Sequence, residues 1–108
     1  MESFEEARDK ILAELTSDDR DVRAEYLKHF KSDVERFSAS MARAFMNWRS
    51  LDSSIKKNEK RAYVSALVYT AITLHVLSMK LFVSGNTVAA GNLFRQVVET
   101  VALALVAR

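Results

Sequence analysis

Nine apolar residues recur at alternating intervals of three and four: Leu27, Phe30, Val34, Phe37, Met41, Ala44, Trp48, Leu51 and Ile55. Only an α-helix turns a 3.5-residue repeat into one continuous stripe, and a seam of that period follows a left-handed supercoil. The spacing predicts one long helix over 18–51, about 50 Å at 1.5 Å per residue. Phe30, Phe37 and Trp48 are bulky for a two-stranded zipper, while Ser38, Ala39, Ser40 and Ala42 let a neighbour approach closely. Both properties favour a bundle of three or four helices. The rest of the 108 residues agrees, with no proline, no cysteine and only two glycines, Gly85 and Gly91. A chain of short strands needs turn residues at close intervals, and a phosphate-cradling loop needs glycine. The lack of cysteine removes disulfides, thiolate zinc sites and a thiol nucleophile.

The expected architecture is a single all-α domain over 1–108, an up-down bundle of four helices near 2–15, 18–51, 58–84 and 87–108. Ser3-Phe4-Glu5-Glu6 is a capping box for the first helix, and Phe4, Ala7, Ile11 and Leu15 form its narrow apolar stripe. Thr16 or Ser17 is expected to cap the second helix, and Asn58 the third. Val64, Leu67, Val68, Ala71, Ile72, Met79 and Phe82 share one face of the third helix, with Leu74, Leu77 and Leu81 on another. A helix apolar on most sides belongs at the centre. Gly85 sits where a left-handed residue ends a helix, so the last two helices form an antiparallel hairpin. Leu67, Ala71, Phe82, Phe94, Val98 and Val101 are expected to be buried together. Gly91, inside the fourth helix, costs about 1 kcal/mol of propensity against alanine, which a close helix crossing would explain.

Charge is segregated. Residues 1–25 carry nine acids and four bases, and residues 26–61 carry nine bases and four acids. After residue 61 only Lys80, Glu99, Arg95 and Arg108 are charged. Lys56, Lys57, Lys60 and Arg61 form a candidate anion patch, although no aromatic residue interleaves with them to stack on bases. The acidic N-terminus is not a signal peptide. The uncharged run Val64–Met79 is shorter than the roughly 20 residues of a membrane span and holds His75 and several hydroxyls. The expectation is therefore a cytoplasmic protein away from membranes.

Polar residues in the apolar half supply a candidate site of Arg95, Glu99, Asn92, His75 and Tyr69, as either a buried polar seam or an exposed ion pair with unrelated neighbours. Metal binding is not expected. Ile72 precedes His75, and Tyr26 precedes His29, at the place where carboxylate-bridged di-iron bundles put Glu. No serine sits in a nucleophile motif, so no catalytic residue and no cofactor is assigned.

The stretch Leu74–Glu99 places a helix, a glycine-containing turn, the pair Ala89-Ala90 and a helix with Arg95 and Glu99 in sequence. This quarter of the chain resembles the helical hairpin of HEPN-type bacterial bundle domains. The resemblance implies a helical fold and, for the nuclease members, an Arg-x(4–6)-His motif on a late helix. Arg23 and His29 have that spacing on an early helix, and no histidine follows Arg95.

Three functional classes follow. The favoured one is a non-catalytic helical interaction or assembly domain. The others are a HEPN-like nucleic-acid-processing or toxin-related protein, and a small-molecule sensor with a pocket around Tyr69, His75 and Arg95. The favoured class rests on the heptad seam, the nearly uncharged hairpin and the lack of a catalytic constellation. Leu103 and Val106 continue the face begun by Asn92, Arg95, Gln96 and Glu99, so the helix becomes apolar all round and needs cover. A homodimer is the favoured cover, with further helices of a longer chain as the alternative.

Overall fold

The computed structural model describes all 108 residues, Met1–Arg108. It is 85% helical, without strands. Five helices follow one another: α1 (Phe4–Thr16), α2 (Arg20–His29), α3 (Lys31–Ser53), α4 (Glu59–Val83) and α5 (Thr87–Ala107). The all-helical reading holds, with five helices in place of four.

The extra helix comes from a bend at Phe30. Its backbone, at φ −110° and ψ 24°, leaves the helical region, yet hydrogen bonds continue across it. The Phe30 N–H donates to Tyr26 O at 2.9 Å, and the Val34 N–H to Phe30 O at 2.8 Å. The bend lets Tyr26 and Phe30 both close on Phe82 of α4, with ring centroids 5.5 and 5.4 Å away. A straight continuation of the heptad stripe is given up for this three-ring contact.

Local chemistry sets the other boundaries. The Glu6 N–H donates to Ser3 Oγ, and the Arg61 N–H to Asn58 Oδ1, which caps α1 and α4 as their sequences predict. The cap of α2 differs from expectation. Thr16 and Ser17 donate backwards to Leu12 O and Glu14 O, closing α1, and Asp19 takes the N-cap position without a side-chain bond. Gly85 has φ +86°, the left-handed conformation that glycine adopts without a Cβ penalty, and the α4–α5 turn closes around it.

α4 and α5 pack along their lengths, and α2 and α3 run antiparallel to α4 on its other flank. The pairings Phe30–Phe82, Phe37–His75 and Trp48–Tyr69 mark that register. The backbones of α3 and α5 do not come close to each other, and that of α1 comes close to no other helix. Three helices therefore lie side by side in one layer, with α1 projecting from it, within an envelope of 63 × 32 × 19 Å. The radius of gyration is 18.7 Å, against about 13 Å for a compact chain of this length.

This geometry corrects the expected core. Only eight of 108 residues are buried, too few for an interior of the kind a closed bundle makes. Of the six residues expected to be buried together, only Ala71 is; Leu67 and Phe82 are half-buried, and Phe94, Val98 and Val101 are exposed. The cause is the missing second layer: a helix in a single layer buries only the edges that face its neighbours. Small residues, Ala71, Ala90, Val97 and Ala104 among them, occupy those edges and bring α4 and α5 close. Gly91 has no such neighbour, since a Cβ there would meet nothing within 4 Å. The close crossing expected to explain it does not exist within this chain.

Candidate interaction surface

The site is built on α4, whose apolar character on nearly every side leaves a surface after α3 and α5 have taken its two flanks. Val64, Val68, Ile72 and His75 of α4 floor an open groove of about 320 Å³. Met41 and Ala44 of α3 form one wall, and Val97, Val101 and Leu105 of α5 form the other. Nearly every lining residue is apolar, so the groove offers shape and desolvation rather than polar recognition. Beyond His75 it continues past Ser78, Met79 and Phe82 to Ala90, Gly91 and Phe94.

His75 divides these two halves. Its ring lies edge-on to Phe37 of α3 at 4.9 Å and tilted against Phe94 of α5 at 5.5 Å, so one imidazole links three helices. Burial among apolar groups lowers its pKa below the ordinary histidine value. The α5 wall carries a heptad stripe of its own, Gly91, Phe94, Val98, Val101 and Leu105, spaced three, four, three, four. All five are exposed.

One polar cluster pins α3 to this platform. Trp48 Nε1 donates to Ser65 Oγ at 3.0 Å and to Ser65 O at 3.1 Å, and Ser65 Oγ donates to Asp52 Oδ1 at 3.0 Å. At the other end Arg23 Nε and Nη2 both donate to Ser84 Oγ at 3.3 Å, which ties α2 to the hairpin turn. Sequence inspection did not assign either cluster a role. Asp52 lies one turn after Trp48, and that spacing was the available signal for the first.

The five residues of the candidate polar site are not brought together. Arg95 Nε and Glu99 Oε1 are 3.8 Å apart, with side chains 75% and 66% exposed, and Asn92 is exposed beside them. His75 faces the groove, and Tyr69 stacks on Trp48 at 4.9 Å. The arrangement is an exposed ion pair of small worth, separate from a groove histidine and a seam tyrosine. Arg23 and His29 are likewise engaged apart, the first on Ser84 and the second 3.8 Å from Glu25. Lys60 and Arg61 are exposed in the first turn of α4, and Lys56 and Lys57 in the α3–α4 connection. Lys56 and Lys57 hold φ +45° and +65° there, and Arg61 Nη1 donates to Ser54 O. Leu103 and Val106 point away from the hairpin, 54% and 85% exposed.

By length and composition, α4 and α5 are both apolar enough to cross a membrane. No family model, curated protein or solved structure matches this chain.

Proposed function

We propose that this protein is a non-catalytic helical assembly module whose open α3–α4–α5 layer is completed by a second copy of the chain. Helices reach stability by burying an apolar face against another layer, and here one layer stands alone. The observation that carries the reading is area. The accessible surface is 8360 Å², against about 6,100 Å² for a compact monomer of this mass. The excess, roughly 2,300 Å² per chain, is the scale of surface that obligate dimers remove from water. The α5 stripe from Gly91 to Leu105 supports a helix–helix contact, since Gly91 leaves open space where a second backbone can come close.

A membrane hairpin is the competing use of the same helices. Asn92, Arg95, Gln96 and Glu99 lie midway along α5, where a spanning helix would hold them at the costliest depth. The assembly reading leaves them in water. A nucleic-acid role rests on the Lys56–Arg61 connection and the HEPN-like hairpin; its mark would be RNA affinity that falls steeply with salt.

Sedimentation equilibrium in detergent-free buffer tests the assembly. The expected mass is twice 12.2 kDa at micromolar concentration, and Val101→Glu shifts it to one protomer while helicity is retained. A soluble protomer that stays single up to about 100 μM, well above the Kd range of specific dimers, would overturn the reading.

A further inference from the structure

α1 is a finished amphipathic helix with nothing to pack on. Its cap is in place, and Phe4, Ala7, Ile11, Leu12 and Leu15 form a continuous apolar face. No other helix of the chain approaches it. Its 13 residues span about 20 Å. The groove floor from Val64 to His75 and the wall from Val97 to Arg108 each run about 16 Å on the same rise, so helix and groove match in length.

Charge matches as well. Residues 1–16 carry five acids and two bases. The end of the layer that holds the groove carries Arg43, Arg49, the Lys56–Arg61 cluster and Arg108, with Asp52, Glu59 and Glu99 opposing them. Arg108 itself lines the groove. The two surfaces are complementary in length, polarity and sign.

Connectivity decides whose groove α1 enters. α2 is latched at the hairpin end of α4 by Arg23 on Ser84 and Tyr26 on Phe82. Residues 17–19 join α1 to α2, a reach of about 10 Å at full extension. The groove floor begins at His75 and ends at Val64, which is about 14 to 30 Å down α4 from Ser84. Crossing from α2 to the groove takes about one interaxial distance, 8–10 Å, and uses up that reach. Folded back on its own chain, α1 would then start near Ser84 and end about 20 Å down α4, leaving Val68 and Val64 uncovered. A second copy has no such tether.

We infer that α1 is an exchanged arm: the α1 of each protomer lies in the groove of Met41, Val68, Ile72, Val101 and Leu105 on the other. This rests on the assembly proposed above and adds the element that fills the groove. It also assigns the acidic N-terminal quarter a partner in the basic middle of the chain.

The absence of native cysteine makes disulfide trapping clean. Ile11→Cys and Val68→Cys chains, one carrying a size tag, are mixed and oxidised, with Asp9→Cys on the polar side of α1 as the control. The expected result is an interchain disulfide joining Ile11→Cys to Val68→Cys, at least about tenfold above control, as an apolar contact held in register requires. An intrachain bond in the Ile11→Cys/Val68→Cys double variant would overturn the exchange. So would a dimer in which neither bond forms. In parallel, Ile11→Glu/Leu15→Glu is expected to raise the dimer Kd roughly a hundredfold, the loss of two interface anchors, with the circular dichroism of α2–α5 kept. An unchanged Kd would remove the arm and leave the dimer standing. A wild-type protomer that never associates would remove both.

Discussion

The contact between α3 and α4 turns on one indole nitrogen, and the size of its contribution follows from its partners. Trp48→Phe removes the N–H that meets Ser65 Oγ at 3.0 Å and Ser65 O at 3.1 Å, while keeping a ring against Tyr69 and Phe45. The Ser65 hydroxyl still donates to Asp52, so it is not orphaned. The loss is then the net value of one neutral hydrogen bond, about 1 kcal/mol, plus up to about 1 kcal/mol for the lost ring area. Ser65→Ala takes away the hydroxyl but leaves the indole its carbonyl acceptor, and is expected to cost about 1 kcal/mol. The two changes share the Nε1–Oγ bond, so the double variant should fall short of their sum by about 0.5–1 kcal/mol. Urea unfolding followed by far-ultraviolet circular dichroism, at one fixed protein concentration, gives the three differences. Strict additivity within about 0.3 kcal/mol would show that the Nε1–Oγ bond contributes nothing to holding α3.

Two further outcomes follow from the turn and the groove. Gly85→Ala places a Cβ 2.9 Å from Val22 Cγ1 at φ +86°. It is expected to cost about 1–2 kcal/mol from the left-handed backbone plus a contact term, and Val22→Ala should relieve only the latter in chemical denaturation. His75 has its folded pKa lowered by burial, so between that value and the unfolded one near 6.5 the unfolded chain binds more protons. Stability is therefore complete above the mid-6 range and falls as pH drops below it. His75→Gln should flatten that slope in thermal melts from pH 7.5 to 5, and a slope unchanged by the variant would assign it to other groups.

Much of the helical layout was legible because it depends on neighbours in sequence. The Leu27–Ile55 period placed the α3 seam correctly, and Val34 through Ile55 are the half-buried residues that face α4. Ser3, Asn58 and Gly85 mark boundaries through their own side chains or lack of one. The bend at Phe30 was not legible. It depends on Phe82, more than fifty residues away, and a periodic stripe reads the same through a bend as through a straight helix. The core failed for a related reason. Phe94, Val98 and Val101 have the pattern of buried residues, and pattern does not say whether the covering layer belongs to the same chain. Arg95 and Glu99 stood out by their rarity among apolar residues, which marks contrast along the chain rather than depth in the fold.

The order of the helices has a consequence for synthesis. A nascent chain emerges N-terminus first at about 5–20 residues per second. α2 and α3 therefore emerge from the ribosome before α4, the helix on which both dock. For several seconds the stripe from Leu27 to Ile55 stands in water as an amphipathic helix of the sort that holdase chaperones recognise. α4 and α5 then follow in quick succession and meet through a turn of three residues, Ser84–Asn86. The hairpin closes through local contacts, and α2 and α3 fold back onto it.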